Sequence, residues 1–363
     1  MGAARMLRQW NSSVNRLLGS LLSRHLVKSL SSFSIAMCAA GHCHSGRLAA
    51  AAVSDAKPAS TRRRWERLLA NDYLDAEDSI HVLARSVLEH WSGRPLLLVL
   101  DETPNGEALR CLRLGVAYRK RLLSIAAACY RTDQPPVPMP ELIGRLLRKA
   151  ATVLPRQTRV TFLCDRGLAW PAVMDCVRQL GWDHVLRLQH TTRVTLPDQR
   201  TLQAGELVRH KDQRWHGPAM IFKKAGWRNA HVTALWDRRA KEPWILAARE
   251  DGPGGIAAAR AYAKRNWCEQ TFRDEKSSGF HWDESHVTDP TRALRVVLVM
   301  VLANLLSISL GTWLIKTARR KDLDPHPVRR LSIFQLGTRW LRHMLLSLQE
   351  AIFPPRLPYL YPK

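Results

Sequence analysis

The sequence predicts an α/β fold in which a β-rich insertion interrupts the core and helical regions flank it. Two apolar runs, residues 95–100 and 159–164, each end on an aspartate, which is typical of strands buried on both faces. In residues 191–250, short apolar runs alternate with glycine, proline and charged residues, which favours further strands. Residues 262–276 contain neither proline nor glycine and lie between glycine-containing segments, so they predict one helix.

The chain is strongly basic. It has 363 residues and a formal net charge of +25, and its pI is about 10.6. Lys and Arg are spread along the whole chain, which indicates a polyanionic partner, with nucleic acid the first candidate. A basic soluble or membrane-surface protein would carry the same charge. The seven cysteines have no paired spacing, which predicts reduced thiols in a cytoplasmic protein.

Residues 1–90 are predicted to form a helical DNA-binding domain. Within residues 60–69, four arginines occur in six positions, among them Arg62, Arg63 and Arg64, beside Trp65. Arginine next to tryptophan on one helix suits phosphate contact. A solvated helix held in place by one buried tryptophan would show the same pattern.

Two segments resemble membrane signals by their apolarity. Residues 29–41 form a short apolar run after a basic start, but the preceding basic segment is too long for a signal peptide. Residues 296–315 carry no charge over 20 positions, yet they include Asn304 and Ser307, and no second such segment accompanies them. We therefore expect a helix buried against the sheet, and neither export nor a membrane partner.

The first core segment, residues 91–190, reads as three strands, a helix, a strand, a helix and a strand. Asp101 follows the first strand and Asp165 follows the fourth. The other predicted elements are strands at 109–118, 122–130 and 184–188 and helices at 141–153 and 170–180.

On a helical wheel of residues 262–276, one narrow stripe holds four side chains: Tyr262, Arg265, Glu269 and Lys276. Asp274 and Glu275 point away from it. Most stripes of this kind are solvated charged faces. A single carboxylate between cations and a phenol also suits a metal ligand beside a nucleic-acid backbone.

The spacing of these four residues resembles the Y-R-E-K signature of DDE transposases of the insertion-sequence-four type. Two residues separate Tyr262 from Arg265, three separate Arg265 from Glu269, and six separate Glu269 from Lys276. The resemblance extends upstream, since Asp101 with Thr103 matches the family's Asp-x-Thr and Asp165 matches its second aspartate before a basic residue. It implies a ribonuclease-H-like core.

The resemblance implies a catalytic site. Asp101, Asp165 and Glu269 would hold two Mg²⁺ ions, with Mn²⁺ as a substitute, for phosphoryl transfer at DNA ends. The implied DNA-binding residues are Tyr262, Arg265, Lys276, Arg273, Trp244, Arg62, Arg63 and Arg64. The family's tryptophan stacks on a flipped base, and Trp244 aligns best with it; a tryptophan packed into the sheet is the other interpretation.

The implied partners are double-stranded DNA, as terminal inverted repeats and target, and a second copy of the chain in the DNA complex. Excision would pass through a hairpin intermediate. Two other classes share the sequence features: a metal-dependent nuclease that never joins strands, and a domesticated, non-catalytic DNA-binding protein. The predicted domains are 1–90, 91–190 (first core segment), 191–254 (β-rich insertion), 255–320 (second core segment) and 321–363 (C-terminal helical region, a candidate for dimerisation).

Two histidine-containing segments could suggest a metal site, but neither is expected to form one. His42 and His44 lack a second ligand pair at a zinc spacing. Glu284 and His286 are interpreted as loop residues. Towards the end of the chain, residues 332–351 predict an amphipathic helix, and residues 354–363 a loose proline-rich segment.

Overall fold

The computed structural model of the protein describes residues 2–346, and its N-terminal region is helical as predicted. Ser23 caps the second helix by accepting from the Leu26 amide, and Asp75 caps the fifth by accepting from the Asp78 amide at 2.8 Å. The five helices are α1 (Gly2–Leu18), α2 (Arg24–Ala40), α3 (Ser45–Ala51), α4 (Pro58–Leu69) and α5 (Ala76–Leu88).

Within residues 2–346, ten strands form one mixed sheet in the order β3-β2-β1-β4-β5-β10-β9-β8-β6-β7. The pairings β1–β4 and β4–β5 are parallel and the others antiparallel. The strands are β1 (Leu96–Asn105), β2 (Leu109–Tyr118), β3 (Arg121–Arg131), β4 (Val160–Cys164), β5 (Asp183–Arg187), β6 (Arg193–Thr195), β7 (Thr201–Gln203), β8 (Arg214–Ile221), β9 (Arg228–Leu235) and β10 (Trp244–Ala248). Helix α6 (Met139–Ala151) connects β3 to β4, and α7 (Pro171–Gln179) connects β4 to β5.

The two predicted strand ends become neighbours in this sheet. Strand β1 continues beyond its predicted end to Asn105, because its second half still pairs with β2. Its parallel pairing with β4 stops at Leu100, which lies opposite Cys164. Asp101 and Asp165 each follow directly, so the register sets the two carboxylates side by side at one edge.

The segment predicted as a β-rich insertion is confirmed as strands, and these strands extend the core sheet. Strand β10 pairs antiparallel with β5, with Leu246 opposite Arg187. Strands β9, β8, β6 and β7 follow outward from β10. Of this segment, β10 is therefore the strand placed next to β5.

The prediction of a single helix over residues 262–276 is wrong. Two helices occur there, α8 (Gly255–Ala263) and α9 (Asn266–Glu275). At the junction the amides of Lys264 and Arg265 bond to the carbonyls of Ala261 and Tyr262, a tightened turn three residues in span. Such a turn needs neither glycine nor proline, so no helix-breaking residue marks it in the sequence.

Two buried ion pairs fix α9 across the sheet. Arg113 of β2 donates to Glu275 at 2.8 and 3.3 Å, and both side chains are at most 1% exposed. Arg121 at the start of β3 pairs in the same way with Asp274. As the helical wheel predicted, these two acids point away from Glu269.

The long apolar segment forms α10 (Pro290–Lys316), which lies against β3. It is the one helix among the described residues long and apolar enough to cross a membrane, and 94% of its most apolar window is buried inside the fold. Its Asn304 side chain donates to Glu275 at 2.7 Å, which adds a third contact to that carboxylate.

Helix α11 (Ile333–Leu346) crosses α10 closely at glycine, since a Cβ at Gly337 would overlap the Ser307 carbonyl. The predicted helix of residues 332–351 extends beyond the described residues, and the predicted loose segment 354–363 lies outside them.

The N-terminal helices belong to the larger of two apolar clusters, whose residues run from Met6 to Met344, and the smaller cluster includes residues of α8 and α9. Arg295 of α10 donates to the carbonyls of Leu69 and Leu74, both in the N-terminal region. Trp65 is 2% exposed and packs edge-to-face on Phe33. Trp65 therefore holds α4 in place and does not face solvent.

Replacing Arg113 by Met should destabilise the fold strongly, by about 3–5 kcal/mol, because Glu275 is then buried without its cation. The double change Arg113→Met with Glu275→Leu should recover much of that loss. Urea unfolding of the three chains measures both effects.

The matched control is the exposed pair of Arg200 and Asp198, whose removal should leave the free energy of unfolding almost unchanged because solvent screens both charges. Equal losses for the two arginines would contradict a structural role for the buried pair.

Candidate active site

Three carboxylates predicted from separate segments of the chain surround one guanidinium. Arg265, in the turn between α8 and α9, contacts Asp101 at 2.8 Å, Asp165 at 3.7 Å and Glu269 at 2.6 Å. Asp101 comes from β1, Asp165 from the end of β4 and Glu269 from the first turn of α9. The cluster opens to solvent on one side, since Glu269 is 46% exposed and Asp101 only 9%.

Tyr262 and Trp244 support the cluster from behind. The Tyr262 hydroxyl donates to Asp165 at 3.0 Å, and the ring packs edge-to-face on Trp244. Tyr262 is 3% exposed, and Trp244 is half-buried at the start of β10. The indole thus packs on Tyr262 but remains partly exposed. It is neither fully buried in the sheet nor fully open for stacking on a base, the two interpretations of the sequence.

The remaining predicted DNA-binding residues lie in two places. Lys276 ends α9, and its ammonium donates to the Pro104 carbonyl at the far end of β1. Arg273 is exposed on α9. On α4, Arg62 and Arg63 are exposed and Arg64 is half-buried, and Arg62 forms an ion pair with Glu66.

The environment drives the pKa values of the two aspartates apart. Burial raises the pKa of Asp101 to about 6, although Arg265 and the Glu102 amide oppose the shift. Burial would also raise the pKa of Asp165, but Arg265, the Arg166 amide, Tyr262 and Arg187 together lower it below its usual value. Near neutral pH Asp165 is an anion, while Asp101 retains a protonated fraction.

The three carboxylates offer the hard oxygen ligands that Mg²⁺ and Mn²⁺ prefer. Their spacing is set by the guanidinium between them. Among the described residues, the one group of three metal-ligating side chains with ligand atoms within 4.8 Å lies elsewhere, so these acids are spread wider than that. The ligand chemistry fits divalent ions, and binding them requires the carboxylates to exchange their Arg265 contacts for the ions.

Sequence reasoning missed Arg187 and Glu242. Arg187, the last residue of β5, lies 3.5 Å from Asp165 and also pairs with Glu242. Strand β5 is parallel to β4 and ends at the same edge, so the rule that located Asp101 and Asp165 could have found Arg187. Glu242 precedes β10 in a loop that carries no pattern.

The segments predicted to hold no metal come together in the structure. His42, His281 and Glu284 form the group whose ligand atoms lie within 4.8 Å of one another. The zinc-spacing rule considers ligands near each other in sequence, and more than two hundred residues separate these two segments.

A family model described as Transposase DDE domain matches residues 103–306, more than half of the chain. The matched segment begins two residues after Asp101 and contains Asp165, Glu269 and Arg265. A search of curated proteins finds no match.

Divalent-cation affinity should depend on pH through Asp101. Its proton competes with the cation below its pKa of about 6, so affinity should rise up to about tenfold per pH unit below that value and level off above it. Titration with Mn²⁺ from about pH 5 to pH 8, followed by electron paramagnetic resonance, measures this dependence.

Asp101→Asn should bind more weakly and lose the pH dependence. Asp274, whose pKa burial also raises to about 6, titrates in the same range but remains in this variant. If Asp101→Asn kept the dependence, the titrating group would lie elsewhere.

Proposed function

The chain belongs to the DDE transposase family, and on that premise we propose that Asp101, Asp165 and Glu269 are its catalytic acids. Family membership confirms the predicted function: the protein is an enzyme of DNA transposition that acts by phosphoryl transfer, and it binds DNA. Enzymes of this family are typically dependent on divalent metals. The observation that carries the assignment of the acids is the single guanidinium that contacts all three.

We propose Mg²⁺ as the metal, two ions held by Asp101, Asp165 and Glu269, with Mn²⁺ as a substitute. Bound there, the ions would activate a hydroxyl nucleophile and stabilise the leaving 3′ oxygen. The protein supplies the positioning. Tyr262 orients Asp165, and the fixed strand ends keep the two aspartates adjacent, so little reorganisation is required at the moment of reaction.

Arg265 and Lys276 are proposed phosphate ligands of the scissile region. Arg265 offers a planar fork already held by three carboxylates, and the arrival of a phosphate and cations would redistribute those contacts. The Lys276 ammonium donates to the Pro104 carbonyl and, among the described residues, forms no ion pair, although Asp283 and Glu275 lie near enough to interact with its charge. Arg273, exposed on the same helix, extends the basic surface.

Two further DNA contacts are proposed away from the acids. Trp244, half-buried beside Tyr262, is proposed to stack the uncovered part of its indole ring on an unpaired base near the site. Arg62, Arg63 and Arg64 of α4 form a basic cluster for terminal-repeat DNA, supported by the exposure of the first two.

The finer identity is also proposed. The Y-R-E-K spacing of Tyr262, Arg265, Glu269 and Lys276 supports a transposase of the insertion-sequence-four type, which excises and reinserts its element through a hairpin. Residues 1–90 would bind the inverted repeats, residues 321–363 would join two copies on DNA, and the enzyme would act in the cytoplasm. A nuclease that never joins strands would use the same acids, and an assay for strand transfer separates the two.

Changing Asp101, Asp165 or Glu269 singly to Ala should abolish nicking of terminal-repeat DNA, by at least about 10³-fold, while DNA affinity stays near that of the wild type. Nicking should fall because the acids hold the cations that the reaction requires. DNA affinity should stay because carboxylates do not attract phosphates. Single-turnover nicking and gel shifts on the same preparations measure the two properties separately. If a variant nicks DNA at the wild-type rate, the residue changed in it is not one of the catalytic acids.

The reciprocal control is Arg62→Ala with Arg63→Ala. This variant should lose end affinity, most at low salt, because each lost phosphate contact makes the salt dependence of binding shallower, while its acids still bind Mn²⁺. Unchanged affinity for the terminal-repeat DNA would show that α4 does not contact it.

Arg265→Ala and Lys276→Ala should each slow cleavage about 10²-fold or more with only a few-fold loss of end affinity, because their charges act on the transition state more than on bound DNA. Single-turnover rates together with melting temperatures test this. The matched control is Lys264→Ala, an exposed cation in the same turn as Arg265.

If these residues serve only the fold, both variants should lose thermal stability along with activity. Wild-type cleavage rates in Arg265→Ala and Lys276→Ala would show that this surface does not face the reacting DNA.

A further inference from the structure

Two loops distant in sequence are joined beside the end of α9. One loop, residues 41–44, follows α2, and the other, residues 280–286, lies between α9 and α10. The Cys43 amide donates to the Phe280 carbonyl at 2.7 Å, so the two backbones are in direct contact. The contact places His42 against the second loop.

His42 and His281 share one carboxylate. His42 Nε2 lies 3.2 Å from one oxygen of Glu284, and His281 Nδ1 lies 3.1 Å from the other. The two imidazole rings are stacked, with centroids 5.0 Å apart. One ligand atom from each of the three residues lies within 4.8 Å of the others, and the Glu284 side chain is 53% exposed, so a cation can enter from solvent.

Two more imidazoles lie at the edge of this group. The His44 ring lies 6.1 Å from the His42 ring, and the His286 ring lies 5.9 Å from that of His44. Both His281 and His286 have left-handed backbone conformations, with φ of 47° and 57°. Such conformations are uncommon for residues other than glycine and often occur where a loop is shaped around a ligand.

We propose that His42, His281 and Glu284 form a Zn²⁺ site that fastens the N-terminal helical region to the loop after α9, with water or His44 completing the coordination. Two imidazoles and a carboxylate are a ligand set of zinc, whereas Mg²⁺ takes oxygen ligands and retains its waters. The proposed site is separate from the carboxylates of the active site and does not depend on their assignment.

One hydrogen bond assigns the tautomer of the His42 ring. His42 Nδ1 accepts from the His44 amide at 2.9 Å, so Nε2 carries the ring proton. When zinc takes Nε2, that proton moves to Nδ1 and the bond to His44 is given up.

The test uses the full-length protein, dialysed against zinc and then against buffer with excess Mg²⁺, with bound metal counted by mass spectrometry. About one Zn²⁺ per chain is expected to remain, and it should raise the melting temperature by a few degrees. Glu284→Gln, which keeps the size and hydrogen-bonding capacity of an exposed side chain, and His281→Ala should each weaken zinc binding at least tenfold. Co²⁺ substitution should give visible absorption bands in the wild type that both variants lose.

Two controls isolate the site. His216 and His231 form another stacked pair, with centroids 5.6 Å apart, and His231→Ala should keep the zinc. Asp165→Asn should keep it too, because that residue lies in the other carboxylate cluster. A wild-type chain that holds no zinc and shows no thermal shift would overturn the proposal. Zinc retained equally by Glu284→Gln and His281→Ala would overturn it as well, whatever the cleavage assays give.

Discussion

The buried pairs of Arg113 with Glu275 and Arg121 with Asp274 determine how α9 lies on the sheet. All four side chains are at most 8% exposed, and a buried charge without its partner is costly. The Leu122 amide adds a bond to the Thr271 hydroxyl at 2.7 Å, between the same strand and helix. With one face of α9 held in this way, its opposite face presents Glu269 to the edge where β1 and β4 part. The adjacent aspartates and the helix therefore meet at a fixed geometry.

The converging acids create a second constraint, since three carboxylates around one space repel each other. Arg265 supplies the compensating charge in this structure through contacts to all three. One guanidinium cannot balance three full negative charges, and burial keeps the pKa of Asp101 near 6 despite it. The cluster thus retains capacity for more positive charge, which divalent ions provide. Arg265 is the residue through which cation binding and DNA binding would be linked.

Local patterns in the sequence predicted the elements of the site that depend on strand and helix periodicity. Apolar runs located Asp101 and Asp165, and helical spacing grouped Glu269 with Tyr262 and Arg265. The break between α8 and α9 was not predictable, because a tightened turn requires no special residue. Long-range packing was not predictable either: no local pattern indicates that Glu242 pairs with Arg187, that Trp65 is buried, or that His42 contacts Glu284.

The central claim is that Asp101, Asp165 and Glu269 form one shared metal site. Iron-mediated cleavage of the protein chain would test this claim most directly. With Fe²⁺ in place of Mg²⁺, and with hydrogen peroxide and ascorbate added, the bound ion reduces peroxide to hydroxyl radicals that cut the backbone close to its ligands, and mass spectrometry locates the cuts. If the three acids share bound ions, cuts are expected next to Asp101, Asp165 and Glu269; excess Mg²⁺ should suppress them together, and Asp101→Asn should weaken them at all three positions. Cuts at only one of the three, or cuts that Mg²⁺ leaves unchanged, would contradict a shared metal site.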